Sequence, residues 1–159
     1  MTSIEERLKH LNIELPPPPQ PIGQFVHGVR HGDLIFLSGQ GPLRADGTLA
    51  RGKVGADVSV DEAHAHARCA GLVLVSAMRD MAGSLDRIDH VIKVLGMVNA
   101  VPDFQDHPRV INGCSDLLHE IFGKRGEHAR SAIGVASLPG GISVEIEAVV
   151  AVKPNASPR

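Results

Sequence analysis

From Ser59 to Gly83 the apolar residues Ala63, Ala67, Ala70, Val73, Leu74, Ala77, Met78 and Met81 recur at steps of three and four, the rhythm of a helix that buries one stripe. Ser59 with Glu62 forms a capping box at its start, and Gly83 offers a left-handed stop at its end. A second stripe, Val110, Cys114, Leu117, Leu118 and Ile121, predicts another long helix. Asp106 is its expected cap, Pro108 lies in its first turn and Gly123 closes it. Ser3 with Glu6 forms a further capping box, and Ile4, Leu8 and Leu11 give residues 3–12 one apolar side, so a short amphipathic helix is expected there.

Between these stretches the rhythm changes. FVHGV and LIFLSGQ flank Arg30-His31-Gly32-Asp33, which predicts a β-hairpin within residues 25–40. Leu34 to Leu37 is apolar without interruption, as in a strand buried on both faces. Residues 90–98, 130–137 and 142–152 predict three more strands, the last two separated by Pro139-Gly140-Gly141. The order β-β-α-β-α-β-β, without internal repeat, predicts an α+β fold: one mixed sheet with two long helices on one face. Pro16 to Pro21 reads as a stiff extended spacer. It divides the chain into an N-terminal helix and proline-rich extension over 1–21, a single domain over 22–153 and a tail over 154–159.

Charges interrupt the strands. Val144, Ile146, Ala148, Val150 and Val152 fall on one side by period two, and Glu145 and Glu147 on the other. Arg130 shares its side with Ala132, Gly134 and Ala136, so it is expected to project with free space beside it. We expect Arg130, Glu145 and Glu147 on the sheet face that no helix covers. That face also carries Val149 and Ala151, so an oligomer packing sheet against sheet would resolve it. Charges desolvated there need partners, and either a structural ion pair or a ligand would supply them. A plain hairpin around Gly140 would hold Arg130 and Glu145 roughly 17 Å apart, so their meeting requires another strand order or a neighbouring subunit. At Ser38-Gly39 the second strand stops being apolar, and the glycine admits a bulge, or the close approach of a backbone or ligand.

Composition removes several function classes. The 159 residues carry 16 Lys+Arg against 18 Asp+Glu, with no run of like charge, so a phosphate backbone finds no basic stripe. Tyr and Trp are absent and only 4 Phe occur, which leaves almost no base-stacking surface and speaks against nucleic-acid binding. Cys69 and Cys114, both within helical patterns, read as buried free thiols in a reducing compartment. The N-terminus has no leader pattern and no apolar run approaches eighteen residues, so a soluble cytoplasmic protein with no membrane partner is expected. His64 and His66 stand about 200° apart on a helix and cannot chelate one ion; they read as solvent-exposed helix residues. No nucleotide-binding or Cys-x-x-Cys motif occurs, so neither a metal nor a cofactor is implied.

IGQFVHGVRHGDLIFLSGQGP and HARSAIGVASLPGGISVEIEAVVAV resemble the opening and closing signatures of the reactive-intermediate deaminase family (Rid, YjgF-like), also labelled L-PSP endoribonuclease; the likeness spans about residues 22–152. The resemblance implies a chorismate-mutase-like fold, with the last strand inserted in the sheet, and a homotrimer with clefts between subunits. It implies that Arg130 grips the carboxylate of a small 2-imino or 2-oxo acid and that Glu145 positions or protonates a water. It further implies that Ser38 and Gly39 offer contacts from the second strand and that Asn112 lines the cleft. Helical spacing independently turns Asn112 away from the core stripe. Phe25, Ala132 and Gly134 stand where the family archetype has tyrosine, cysteine and glutamate. These departures widen the cleft, remove polar groups and resemble a longer subgroup. Two functions follow as expectations: hydrolytic deamination of reactive enamine or imine acids to 2-oxo acids and ammonia, or a non-catalytic trimer that binds or senses small carboxylic acids.

Overall fold

The computed structural model describes residues 2–154, so the tail beyond Pro154 lies outside the described residues. The elements are α1 (Ile4–His10), β1 (Gly28–His31), β2 (Leu34–Gln40), α2 (Val60–Ala82), β3 (Ile88–Asn99), α3 (His107–Phe122), β4 (Ala129–Val135) and β5 (Val144–Val152). The α+β order is the expected one. The first strand begins at Gly28, not Phe25, because residues 25–27 do not join the ladder.

The sheet runs β1-β2-β5-β3-β4. The last strand, β5, lies between β2 and β3 and is antiparallel to both, while β4 pairs only with β3, in parallel. A parallel pair needs a crossover, and α3 supplies it. No hairpin forms around Gly140. Arg130 is level with Val94 and, across β3, with Ala148, whereas Glu145 is level with Met97 and Ile133.

Helices α2 and α3 pack on one face. Both carry glycine at their crossing: a Cβ on Gly113 would run into the backbone carbonyl of His64, and one on Gly71 would lie 3.0 Å from the Leu117 side chain. Both expected stripes are buried apart from Met81, which packs half-buried against the core. Ser59 and Glu62 form the capping box on α2, and Gly83 ends it with φ 79°. Asp106 stands at the cap position of α3, but its side chain makes no capping hydrogen bond.

The covered face is larger than two helices. α1 adds Ile4 and Leu8 to the core, with the Ile4 amide donating to Asp86 Oδ1 at 2.7 Å and Arg7 Nε donating to the Glu120 carbonyl at 2.7 Å. The proline-rich segment is tied across α2, where the Ser76 hydroxyl donates to the Pro16 carbonyl at 2.6 Å.

The other sheet face is uncovered. In β5 the alternate residues Val144 to Val152 are buried, while Glu147 is exposed and Glu145, Val149 and Ala151 are half-buried. β2 is buried on one face only: Ile35 and Leu37 are inside, but Phe36 is 48% exposed, because no element among the described residues covers it.

Candidate functional site

Arg130 sits on the helix side of the edge strand. Its Nη1 donates to Asn112 Oδ1 at 2.8 Å and to Ser115 Oγ at 3.0 Å, with the Pro108 carbonyl 3.5 Å from Nη2. This corrects the expectation that Arg130, Glu145 and Glu147 share one face. Arg130 is in register with the buried Val94, and Glu145 points to the opposite side. The two are three rows and two strands apart, about 14 Å between backbones at ordinary sheet spacings. Within one chain they cannot meet.

The space beside Arg130 is also smaller than expected. A Cβ at Gly134 would lie 2.6 Å from His107 Nε2, so the first residue of α3 fills the room left by the glycine. Ala132 is half-buried and packs against the core. Among the described residues no carboxylate lies within ion-pair distance of the guanidinium. Its partners are neutral oxygens at Nη1 and Nη2, and among the described residues no acceptor engages Nε.

Asn112 is exposed, as helical spacing implies, and its Oδ1 accepts from Arg130. Ser115 was not foreseen, although it stands three residues after Asn112 on the same helical face, a spacing that signals it. Ser115 is also 2.9 Å from His128 Nε2, and His128 Nδ1 is 2.6 Å from the Gly126 carbonyl. Burial pushes the His128 ring below the ordinary histidine range, and Arg130 and His90 act in the same direction against the Gly126 hydrogen bond. Burial likewise pushes the Cys114 thiol up to about 12, against the pull of Arg130, so it remains a thiol.

Glu145, Ser38 and Gly39 come together on the open side. The register slips between Leu37 and Gln40, a bulge that contains Ser38 and Gly39. A Cβ on Gly39 would lie 2.9 Å from Cγ and Cδ of Glu145, so the glycine makes the floor beneath that carboxyl group. Of the two sequence readings of Gly39, the bulge is seen, and what approaches the glycine is the Glu145 side chain. Among the described residues no donor reaches the Glu145 carboxylate. Burial pushes its pKa up, and the neighbouring Glu147 adds to the rise. Phe25, 50% exposed, precedes a segment stitched to this strand, where Val26 and His27 carbonyls accept from the Ser38 hydroxyl at 2.6 Å and amide at 3.0 Å.

Two clefts among the described residues are lined by neither Arg130 nor Glu145. One of about 620 Å³ is lined by Lys53, Phe104, His107 and Gly134, but by neither Arg130 nor Glu145. The Lys53 ammonium is tied to Asn99 Oδ1 at 3.0 Å and the Ala136 carbonyl at 2.8 Å. A groove of about 220 Å³ on the open face runs between Lys93, Leu95, Ser131 and Glu147. His64 and His66 are not free surface residues as expected: their Nδ1 atoms are 2.9 Å from the Arg109 carbonyl and 2.9 Å from Ser143 Oγ. Among the described residues no three potential ligands cluster for a metal. Cys114 is buried and Cys69 only half-buried; both are free.

Comparison with known proteins gives a consistent placement. The family model described as YjgF/chorismate mutase-like, putative endoribonuclease, matches residues 5–143. Protein TCP17 of Trypanosoma cruzi is 40% identical over 148 residues, 92% of each chain. A protein of Dermatophagoides farinae named 2-iminobutanoate/2-iminopropanoate deaminase is 30% identical over 89% of this chain and 95% of its own. The crystal structure of a putative endoribonuclease from Shewanella oneidensis superimposes with a TM-score of 0.90 at 30% identity, covering 95% of this chain and 100% of that one. That of Escherichia coli TdcF with bound serine does so at 0.60 and 28% identity, covering 86% and 94%. With its inserted last strand, its helix-covered mixed sheet and a family match across most of its length, the chain belongs to the YjgF-like (Rid) family.

Proposed function

We propose that the chain hydrolyses small reactive 2-imino acids, formed from enamines, to 2-oxo acids and ammonia at sites completed between copies of itself in a cytoplasmic homotrimer. One observation carries this reading: Arg130 and Glu145 lie on opposite faces of one sheet, and among the described residues the first has no acidic partner and the second no donor. A site using both requires Arg130 and Asn112 of one copy to face Glu145, Ser38 and Gly39 of the next. The exposed apolar residues Val29, Phe36 and Ile133 on the open face give the copies a reason to associate. The mite relative named as an imine deaminase supports the reaction class, and the serine bound to TdcF supports a small carboxylate-bearing ligand.

In this mechanism the guanidinium takes the substrate carboxylate through two parallel hydrogen bonds, which fixes the plane of the imine. The iminium carbon is already electrophilic, so most of the enzyme's task is to place water. Glu145 takes a proton from the attacking water as the C–O bond forms. It then returns that proton to nitrogen and takes the hydroxyl proton as the C–N bond breaks and the C=O bond forms; this second proton passes to the departing ammonia, which leaves as ammonium with the 2-oxo acid. A carboxyl raised above the usual glutamate range is suited to both transfers near neutral pH.

The test is oxo-acid release from freshly generated imino acids. Arg130→Ala and Glu145→Ala should each fall to the buffer rate. Refolded together in equal amounts they should recover about a quarter of wild-type activity, because random assortment leaves one interface in four intact. Equal rates for wild type and Arg130→Ala overturn the reaction; failure to complement overturns the shared site. The non-catalytic binder is the second reading, favoured by Phe25 and Ala132 standing where the family archetype has tyrosine and cysteine; the side chains that hold Arg130, Asn112 and Ser115, are both neutral. Thermal stabilisation by 2-oxobutyrate that depends on Arg130, without turnover of any imine, distinguishes it.

A further inference from the structure

The guanidinium of Arg130 is the end of a hydrogen-bonded chain that starts at a backbone carbonyl. The Gly126 carbonyl can only accept, so His128 Nδ1, 2.6 Å away, carries a hydrogen. Burial holds the ring below the ordinary histidine range, against the Gly126 hydrogen bond, which favours the charged form. Arg130 from β4 and His90 from β3 disfavour a second positive charge, while α3 contributes only the neutral Ser115. A neutral ring with its hydrogen on Nδ1 has a bare lone pair on Nε2, 2.9 Å from Ser115 Oγ. The single hydroxyl hydrogen of Ser115 goes there. Its oxygen is then left as an acceptor, 3.0 Å from Arg130 Nη1, whose other hydrogen goes to Asn112 Oδ1 at 2.8 Å.

We propose that His128 is a positioning residue for the anion site: acting through Ser115, it fixes the guanidinium plane of Arg130 and leaves the Nε–Nη2 edge turned out for a carboxylate. This rests on Arg130 being the carboxylate anchor. With the hydrogen on Nε2, or with the ring charged, a donor would point at the same Ser115 oxygen and the hydroxyl hydrogen would have to turn elsewhere. Gly126 excludes the first case by accepting from Nδ1, and burial with the two neighbouring cationic or titratable groups opposes the second.

The test combines three variants with two readouts at pH 7.5. His128→Gln keeps an acceptor near the ring Nε2 position, His128→Leu removes it, and Ser115→Ala removes the intermediary. For 2-oxobutyrate binding measured by calorimetry, His128→Leu and Ser115→Ala should each weaken affinity roughly tenfold, the scale of one hydrogen bond to a charged group. His128→Gln should stay within about threefold, and the double variant Ser115→Ala/His128→Leu should lose no more than either single one. Additive losses in the double variant, or full affinity in His128→Leu, overturn the proposal. The second readout needs no ligand. Nitrogen NMR should show His128 protonated on Nδ1 and bare on Nε2, with the Arg130 Nη1 hydrogens resolved in wild type and His128→Gln but averaged in His128→Leu and Ser115→Ala. A reversed tautomer, a charged ring, or averaged Arg130 signals in wild type overturn the positioning role. Because that signal decides the role by itself, failure of 2-oxobutyrate to bind wild type counts against the anchor reading alone.

Discussion

The helix-covered face of the sheet and its open face are built from similar side chains held in opposite conditions. On the covered face Ile35, Val94, Val98 and Ile146 are fully buried under α2 and α3. On the open face Val29, Phe36 and Ile133 remain 55%, 48% and 44% exposed. The charges divide in the same way. Arg130 lies against α3 and is held by two of its side chains, while Glu145 stands over Gly39 with no donor. Packing by one chain is thus enough to set a guanidinium in place, whereas the carboxyl group is left half-buried with no donor among the described residues.

Substitutions on the two faces can break that contrast. The largest effect is expected from Ile146→Ala, which opens a cavity under the helices and should cost about 2–5 kcal/mol in denaturant unfolding. Phe36→Ala, on the other side of the same sheet, should change unfolding of the isolated chain far less. The paired change Val29→Asp/Phe36→Asp places charges on the open face. Sedimentation should then report single copies with unchanged far-ultraviolet dichroism, and an unaltered assembly would mean that this face is not the contact.

Gly39→Ala should act on the site more than on the fold. The backbone there does not demand glycine, but a Cβ would displace the Glu145 carboxyl, so oxo-acid release should drop about tenfold with a stability change below about 1 kcal/mol. The smallest effect concerns pH. Glu145 has a raised pKa in the folded chain, so between the ordinary glutamate value and that raised one the folded state binds more protons than the unfolded state. Stability from this group is present in acid and is lost as pH rises. Glu145→Gln should therefore melt slightly higher than wild type at pH 8, with the difference vanishing near pH 4; a constant difference would remove burial as the cause.

Much of the covered face could be read from the chain because its signals are local. The stripes on α2 and α3, the capping boxes at Ser3 and Ser59 and the alternation in β5 each lie within a few residues, and each holds. The placement of β5 between β2 and β3 is a long-range fact, and only the family resemblance implied it. The side taken by Arg130 was misjudged for a physical reason. In ARSAIGV the alternation places Ile133 opposite Arg130, so amphipathicity alone would turn the isoleucine inward. At the sheet edge the order is reversed: Asn112 and Ser115 on α3 accept the arginine, and Ile133 faces outward. His128 and Ser115 were missed because they lie 13 residues apart and their contact depends on the crossover that brings α3 over β4.

That crossover has a consequence for how activity is acquired. Arg130, Asn112, Ser115 and His128 all come from one contiguous stretch, β3-α3-β4 and its turn, so the proposed anion grip needs no second copy to form. On dilution, a dissociating assembly would lose turnover first and keep its hold on small acids, and the two properties would part company along the concentration axis.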